Sequence, residues 1–374
     1  MRFVQHRYTA WQIVRKMFAG ILIITLALVI GIAWYLFPSA NKVLAAIEKH
    51  PQSASFYLRL NDESAATLNP DVLTPLASTL KIIIAIEYAE QAAAGELDPD
   101  MLVPLSELDK FYVAKTDGGA HGAFLKNYAD KTHDNAISLR RVAKGMIAFS
   151  SNANTDYLIQ LLGVDRINLR VELLGVKEHS TIYPLVASMF VADELVADTG
   201  NKQSIAARVR QLPDTEYLSY IERARSNLVS NPNYKKTLTN IDSSIQKVWT
   251  ERLPASTASE YVSIAHKMNS RKFFSAQTHE FLNEVMESLM ENPANREWLV
   301  HSGQKGGSTA TLLTKALYAT LKDGNSIELV YFLRNLKVYS MLRLSISMNA
   351  FEHKMLNNKH FREEVIERIA RLEP

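Results

Sequence analysis

The 374-residue sequence contains no cysteine. Disulfides and thiolate metal sites are therefore excluded. Neither sign of charge dominates: 42 Lys and Arg stand against 39 Asp and Glu, a formal net charge of +3. That balance gives no electrostatic reason to expect a nucleic-acid partner. No HExxH motif occurs, and the histidines of the Gly- and His-rich segment 116–135 (His121, His133) match no zinc-ligand spacing. The segment reads instead as a mobile surface loop, placed as a lid over a cleft. Internal repeats and low-complexity tracts are also missing. What is present is ordinary for a globular chain: 47% hydrophobic residues, enough for a sizeable core.

Charge is missing altogether from Met17 to Ala40, and no acid precedes Glu48. An apolar run of about 20 residues is the length that crosses a bilayer as a helix. Trp34 and Tyr35 lie near its far end, where aromatic side chains favour the interface, and Arg2, Arg7, Arg15 and Lys16 precede it. The positive flank keeps the N-terminus in the cytoplasm and exports the rest. A cleaved signal peptide competes with this reading. Its apolar region would be shorter, however, and Pro38-Ser39-Ala40 is a poor cleavage site. The expected organisation is a cytoplasmic segment (1–16), a transmembrane anchor (17–37), a linker (38–53) in which Lys42 to His50 is a short helical or linker stretch, and one large domain (54–374).

Within that domain, Ala54 to Leu60 alternates loosely into Asn61-Asp62 and reads as a strand and turn. From Leu76 to about Asp198 the apolar spacing is helical. Residues 200–253 are polar and helix-compatible, with Pro213 and Pro232 as breaks. Their charge is expected to be mostly solvated surface. Strand signals return at Trp298 to Val300, Lys315 to Leu321 and Ile327 to Leu333, the last two flanking the turn Lys322-Asp323-Gly324-Asn325. Met341 to Met348 is expected to add a strand, and Phe361 to Leu372 a closing helix on the sheet. Both ends of the domain thus meet in one antiparallel sheet with helices between, an α+β arrangement.

A Ser three residues before a Lys occurs at Ser39, Ser78, Ser244 and Ser302. Only Ser78 follows a Pro-containing turn (Thr74 to Ala77) and opens an apolar helical run, Ile82 to Ala94. Ser78 and Lys81 then share a helix face. A serine hydroxyl needs a neighbouring base to become a nucleophile, and a desolvated Lys can lose its proton and supply one. The alternative is a helix-capping Ser beside a surface Lys. Further on, Ser150-Ser151-Asn152 falls between two helical runs, where it could equally be a polar cap, and Lys305-Gly306-Gly307-Ser308 lies in a late strand or Gly-rich turn.

In that order and those contexts, the three motifs resemble the S-x-x-K, S-x-N and K-T-G elements of the penicillin-recognising serine hydrolases, which include class A β-lactamases and DD-peptidases. The resemblance covers most of residues 45–372, with 200–253 as a helical insertion. It implies a two-lobed fold, an antiparallel sheet beside an all-helical lobe. It further implies Ser78 as nucleophile, Lys81 as its base, Ser150 as proton relay, and Asn152 and Lys305 as substrate contacts. Gly307 would let substrate approach the strand, and the amides of Ser78 and Ser308 would form the oxyanion hole. No metal or organic cofactor is implied. Substrates would be small molecules or peptidoglycan-like peptides and esters.

Two departures qualify the resemblance. Gly306 stands where the family has a Thr or Ser that helps hold a substrate carboxylate. Class A enzymes also carry a Glu, with an Asn four positions on, holding the water that releases the acyl-enzyme. None of Glu178, Asp193, Glu194 and Asp198 has that Asn, and Tyr183-Pro184-Leu185 stands about where the Glu belongs. The expected activity is therefore a serine acyl hydrolase or peptidase. The alternatives are a β-lactamase with another deacylating residue and a silent receptor for wall fragments or β-lactams.

Overall fold

The computed structural model describes residues 2–132 and 134–372, with the side chains of 2–10, 30 and 32–34 not described. His133 and the side chains of Arg2, Arg7 and Trp34, singled out above, lie outside the described residues. Nine strands are described: β1 (Ala54–Leu60), β2 (Glu63–Leu68), β3 (Thr74–Pro75), β4 (Leu102–Pro104), β5 (Ala136–Ser138), β6 (Ala255–Ser256), β7 (Leu299–Ser308), β8 (Leu313–Leu321) and β9 (Ser326–Leu333). Five of them form one antiparallel sheet in the order β2-β1-β9-β8-β7. The N-terminal strand β1 pairs with the late strand β9 from Ala54↔Leu333 to Leu60↔Ile327. Both ends of the domain do share a sheet. The turn between β8 and β9 closes at Gly324, whose φ of 93° suits glycine.

The central strands are buried on both faces, because alternate residues of β8 and β9 enter two different cores. Leu317, Leu329 and Tyr331 pack under the helices Ala40–Lys49, Val338–Asn357 and Lys359–Ala370. Ala316, Tyr318, Val330 and Phe332 pack on the opposite side, with the helix Ala258–Asn269 and the helical lobe built around Lys81–Ala93. A third cluster joins Phe190, Val191 and Leu195 to Tyr217, Ile221, Leu228 and Val248 of the 200–253 segment. That segment is helical, as expected, in Ile205–Gln211, Asp214–Ser230 and Ser243–Arg252. Its charges face solvent while its aromatic and aliphatic residues form a core of their own.

Two expectations are corrected and one open reading is decided. Met341 to Met348 is not a strand but part of the helix Val338–Asn357. Leu344, Met348, Phe351 and Met355 recur at helical spacing and are all buried, a period that short-range alternation concealed. Of the two readings of Lys42 to His50 the helical one holds: the helix Ala40–Lys49 buries Ala40, Val43, Leu44 and Ile47 against the C-terminal helices. The 116–135 segment is not all loop, since Ala120–Tyr128 is a helix that buries His121, Phe124 and Tyr128.

At the N-terminus, Arg2–Leu36 is one continuous helix whose apolar window Trp11–Val29 is not buried by the rest of the molecule. Its last carbonyls are satisfied by Lys42, which donates to Tyr35 O at 2.7 Å and Phe37 O at 2.6 Å.

Candidate active site

Ser78 sits in a 3-10 turn, Ala77–Leu80, that feeds directly into the helix Lys81–Ala93. It caps neither element. Ala77 just before it is held at φ 46°, a left-handed conformation that a non-glycine residue keeps only when its surroundings enforce it. The enforcing contacts come from the sheet and from Pro254, the residue before β6. Leu76 N donates to Pro254 O at 2.9 Å, Thr314 Oγ1 donates to Leu76 O at 2.8 Å, and the Thr79 and Thr314 hydroxyls meet at 2.8 Å. Gly307 completes the fit: a Cβ there would lie 2.6 Å from both Ser78 N and Leu76 O. Strand β7 can approach the Ser78 backbone only because Gly307 has no side chain.

Lys81 is fully buried, so the reading of it as a surface cation is excluded. Its Nζ donates to Ser150 O at 2.8 Å and to Asn152 Oδ1 at 2.8 Å, with Ser150 Oγ at 3.3 Å. A neutral amine has two N–H groups, which match the carbonyl and amide acceptors and leave its lone pair for a hydroxyl. Burial drives the Lys81 pKa well below its ordinary value and the charge of Lys305 pushes it lower still, against the weaker attraction of Asp156 and Asp117. Lys305, on β7, is also buried, and desolvation together with Lys315 brings it down to about 7. Among the described residues no hydrogen bond joins Lys305 to Ser150.

The middle motif is built as a loop between the helices Leu139–Ala148 and Asn152–Leu162. Ser150 takes φ 66°, another left-handed non-glycine position at the site. Ser151 is the residue that acts as a cap: its Oγ accepts from Asn154 N at 3.2 Å and lies 3.0 Å from His121 Nδ1. Ser150 and Asn152 face the cleft, while Ser151 supports them from behind.

One cleft of about 620 Å³ gathers Ser78, Ser150, Asn152 and Ser308. Of the four Ser-x-x-Lys serines it holds Ser78 alone: Ser302 is buried and bonded to Tyr318 O, and Ser244 belongs to the Asp242 cap. The segment Lys115–Ala120 lines the cleft, with Asp117 carboxylate oxygens accepting from Gly119 N and His121 N at 3.1 and 2.8 Å. Lys81, Lys305, Gly306 and Gly307 do not line it: the two lysines are buried behind it, and Gly307 faces the Ser78 turn rather than the open cleft. A Cβ on Gly306 would lie 3.5 Å from Lys315 Cδ, room enough for a side chain beside the Lys315–Glu352 pair.

Three features of the cleft escaped the sequence. Thr314 pins the Ser78 turn from the neighbouring strand, a contact between residues 235 or more positions apart. Asp156 is buried in the lobe and accepts from the amides of Leu185, Val186 and Ala187 at 2.7, 2.8 and 3.3 Å, fixing the segment that lines the cleft with Leu185 and Met189. Burial raises Asp156 to about 7 although those amides and Lys81 favour its anion. Asp156 is the one charged residue between Ala153 and Leu162, and that was the available signal. The third feature is Ile241, Ile245 and Trp249 of the 200–253 segment, which form a cleft wall. No cluster of metal-ligating side chains occurs among the described residues.

A family model described as the β-lactamase enzyme family matches residues 38–299. The chain belongs to the β-lactamase enzyme family. Solved structures agree on the fold. A β-lactamase from Chitinophaga pinensis superposes with a TM-score of 0.52 at 16% identity, covering 83% of this chain and 97% of that one. A class A β-lactamase representative from Bacteroides cellulosilyticus gives 0.51 at 18%, covering 84% and 98%. No relative was found among curated protein sequences. The β-lactamase-family match and the two-lobed α+β fold agree with the motif reading.

Proposed function

We propose that this β-lactamase-family chain is a membrane-anchored, extracytoplasmic serine acyl hydrolase or peptidase working through a Ser-Lys acyl-enzyme. The observation that supports it most is the buried Lys81 amine. Held by Ser150 O and Asn152 Oδ1, it is kept electron-rich by burial and by Lys305. Lys81 takes the proton of Ser78 as its oxygen attacks the carbonyl carbon. Ser150, 3.3 Å from Lys81 Nζ, passes that proton to the leaving group. Asn152 and Lys305 contact the substrate, and the amides of Ser78 and Ser308 stabilise the oxyanion. Gly307 keeps the strand close. Water then releases the acyl group. The chemistry calls on no metal or organic cofactor.

The apolar helix supports the anchor: Trp11–Val29 is wholly exposed in the isolated chain, a state that suits lipid better than water. Small-molecule or peptidoglycan-like substrates fit a domain held outside the membrane.

Leu185 and Met189 line the cleft in the segment where a deacylating Glu and Asn would be expected. Penicillins should therefore acylate Ser78 and leave slowly. The similar solved structures are described as β-lactamases, so rapid penicillin turnover is the competing reading. Intact-mass analysis over time after adding a penicillin separates the two. A persistent +1 adduct supports the proposal, and prompt return to the free mass with penicilloate release supports the competitor.

A further inference from the structure

We propose that the cleft takes substrates with a large apolar acyl group, and that the helix Ser243–Arg252 with the residues just before it selects them. This rests on the proposed function and names the substrate class for the same site. The cleft is two-sided. Ser78, Ser150 and Asn152 bring the polar chemistry, whereas Ile241, Ile245 and Trp249 face it together with Leu185 and Met189. A leaving alcohol or amine must meet the proton donor Ser150, so it occupies the polar side. The apolar wall is left for the group that stays on Ser78. A volume of about 620 Å³ accommodates a drug-sized ligand, far more than an acetyl group requires.

The wall is fixed before any ligand arrives. Asp193 Oδ1 accepts from Thr239 N, Thr239 Oγ1, Asn240 N and Asn240 Nδ2 at 3.0, 2.9, 3.3 and 2.8 Å, pinning the chain just before Ile241. Asp242 Oδ1 caps the helix through Ser244 N at 2.7 Å and Ile245 N at 3.1 Å. Trp249 Nε1 donates to Ser188 Oγ at 2.8 Å, and Ser188 Oγ donates on to Leu185 O at 2.7 Å. The indole edge is thereby tied to the floor of the cleft, and its one polar atom is already satisfied. Ile241 is 47% exposed, so an apolar ligand has surface left to cover. Pre-organised apolar surface discriminates by chain length, because each buried methylene adds favourable transfer energy without an ordering cost on the protein side.

In the reaction, Ser78 Oγ forms a bond to the acyl carbon and the bond from that carbon to the leaving oxygen breaks. The serine proton goes through Lys81 and Ser150 to the departing oxygen, and water afterwards yields the free acid and the serine. The test uses the full chain and p-nitrophenyl acetate against p-nitrophenyl hexanoate. Nitrophenol release is read as the second-order acylation rate with Ser78→Ala as blank, after a fluorophosphonate has been shown to label Ser78. The hexanoate should acylate at least about ten-fold faster than the acetate. Trp249→Ala and the surface change Ile241→Ser should each cut that ratio several-fold. A flat ratio, no acylation by the hexanoate, or an unchanged ratio in Ile241→Ser overturns the inference in a protein that fluorophosphonate labels. Failure of the label to reach Ser78 overturns the proposed function itself.

Discussion

Lys81 and Lys305 are two buried amines whose charges repel, so protonating one makes the other more acidic. Taking Lys305 away should raise the Lys81 pKa. Acylation by an uncharged ester depends on neutral Lys81, so the acid limb of its pH–rate profile should move to higher pH in Lys305→Met. An unmoved limb would show that the two amines do not communicate. Stability has a sign of its own. Lys305 has a folded pKa of about 7 against an ordinary 10.5, so the unfolded chain binds the extra proton between those values and stability rises with pH across them. Lys305→Met should therefore stabilise the fold most below pH 7, with the advantage fading toward pH 10.5, as urea titrations at several pH values can measure. Lys81→Ala should lower acylation by about 10²–10⁴-fold, the usual range for a general base, with the near-ultraviolet spectrum unchanged. At this scale Ser78, Lys81, Ser150 and Asn152 were singled out by the order of the three motifs and their family resemblance, not by local spacing. The fold brings Ser78, Ser150 and Asn152 to one cleft, with Lys81 bonded to the last two. Thr314 and Asp156 were not readable, since each acts on a segment brought close only by tertiary folding.

Among the elements, the contact between β7 and the Ser78 turn does most to shape the site. Gly307→Ala would drive a Cβ to 2.6 Å from Ser78 N and Leu76 O, both backbone atoms that cannot rotate away. Overpacking of that kind costs about 1–3 kcal/mol. It should also lower acylation at least about ten-fold, because displacement of reacting groups by an ångström is costly. Gly307→Ala with full activity would mean that the strand and the nucleophile turn are not coupled. On the sheet's other face, Phe351→Ala should destabilise by about 3–5 kcal/mol, since Phe351 is fully buried against Tyr331 and Phe361. Chemical denaturation of the variant checks it. The hairpin β8–β9 was legible from its turn residues. The edge strand β2 was not, because ESAATL buries only Leu68 and has weak strand composition. The helix Val338–Asn357 was misread as a strand because the eight-residue window Met341 to Met348 is shorter than the 18 residues over which its 3.6-residue period shows itself.

For the whole molecule, the three cores divide the labour. One ties the helix Ala40–Lys49 and the C-terminal helices to the sheet, one carries the helical lobe with Lys81, and the third holds the 200–253 segment as a wall of the cleft. The sequence marked that segment as helical with its charge at the surface, and both hold. Its part in the cleft was hidden because its charges outnumber its aromatics in the chain, while Tyr217, Tyr220 and Tyr234 are buried and Trp249 lines the cleft. The account predicts that protease added to intact spheroplasts digests the domain beyond Ala40, and protection of that domain would reverse its topology. Every part of the account still depends on Ser78 being the residue that becomes acylated. The most direct measurement is intact-mass analysis and peptide mapping of the full chain after exposure to a fluorophosphonate. One adduct on the peptide carrying Ser78, lost in Ser78→Ala and slowed by orders of magnitude in Lys81→Ala, is the predicted result. An adduct on Ser39, Ser244 or Ser302, or undiminished labelling of Ser78→Ala, would contradict it.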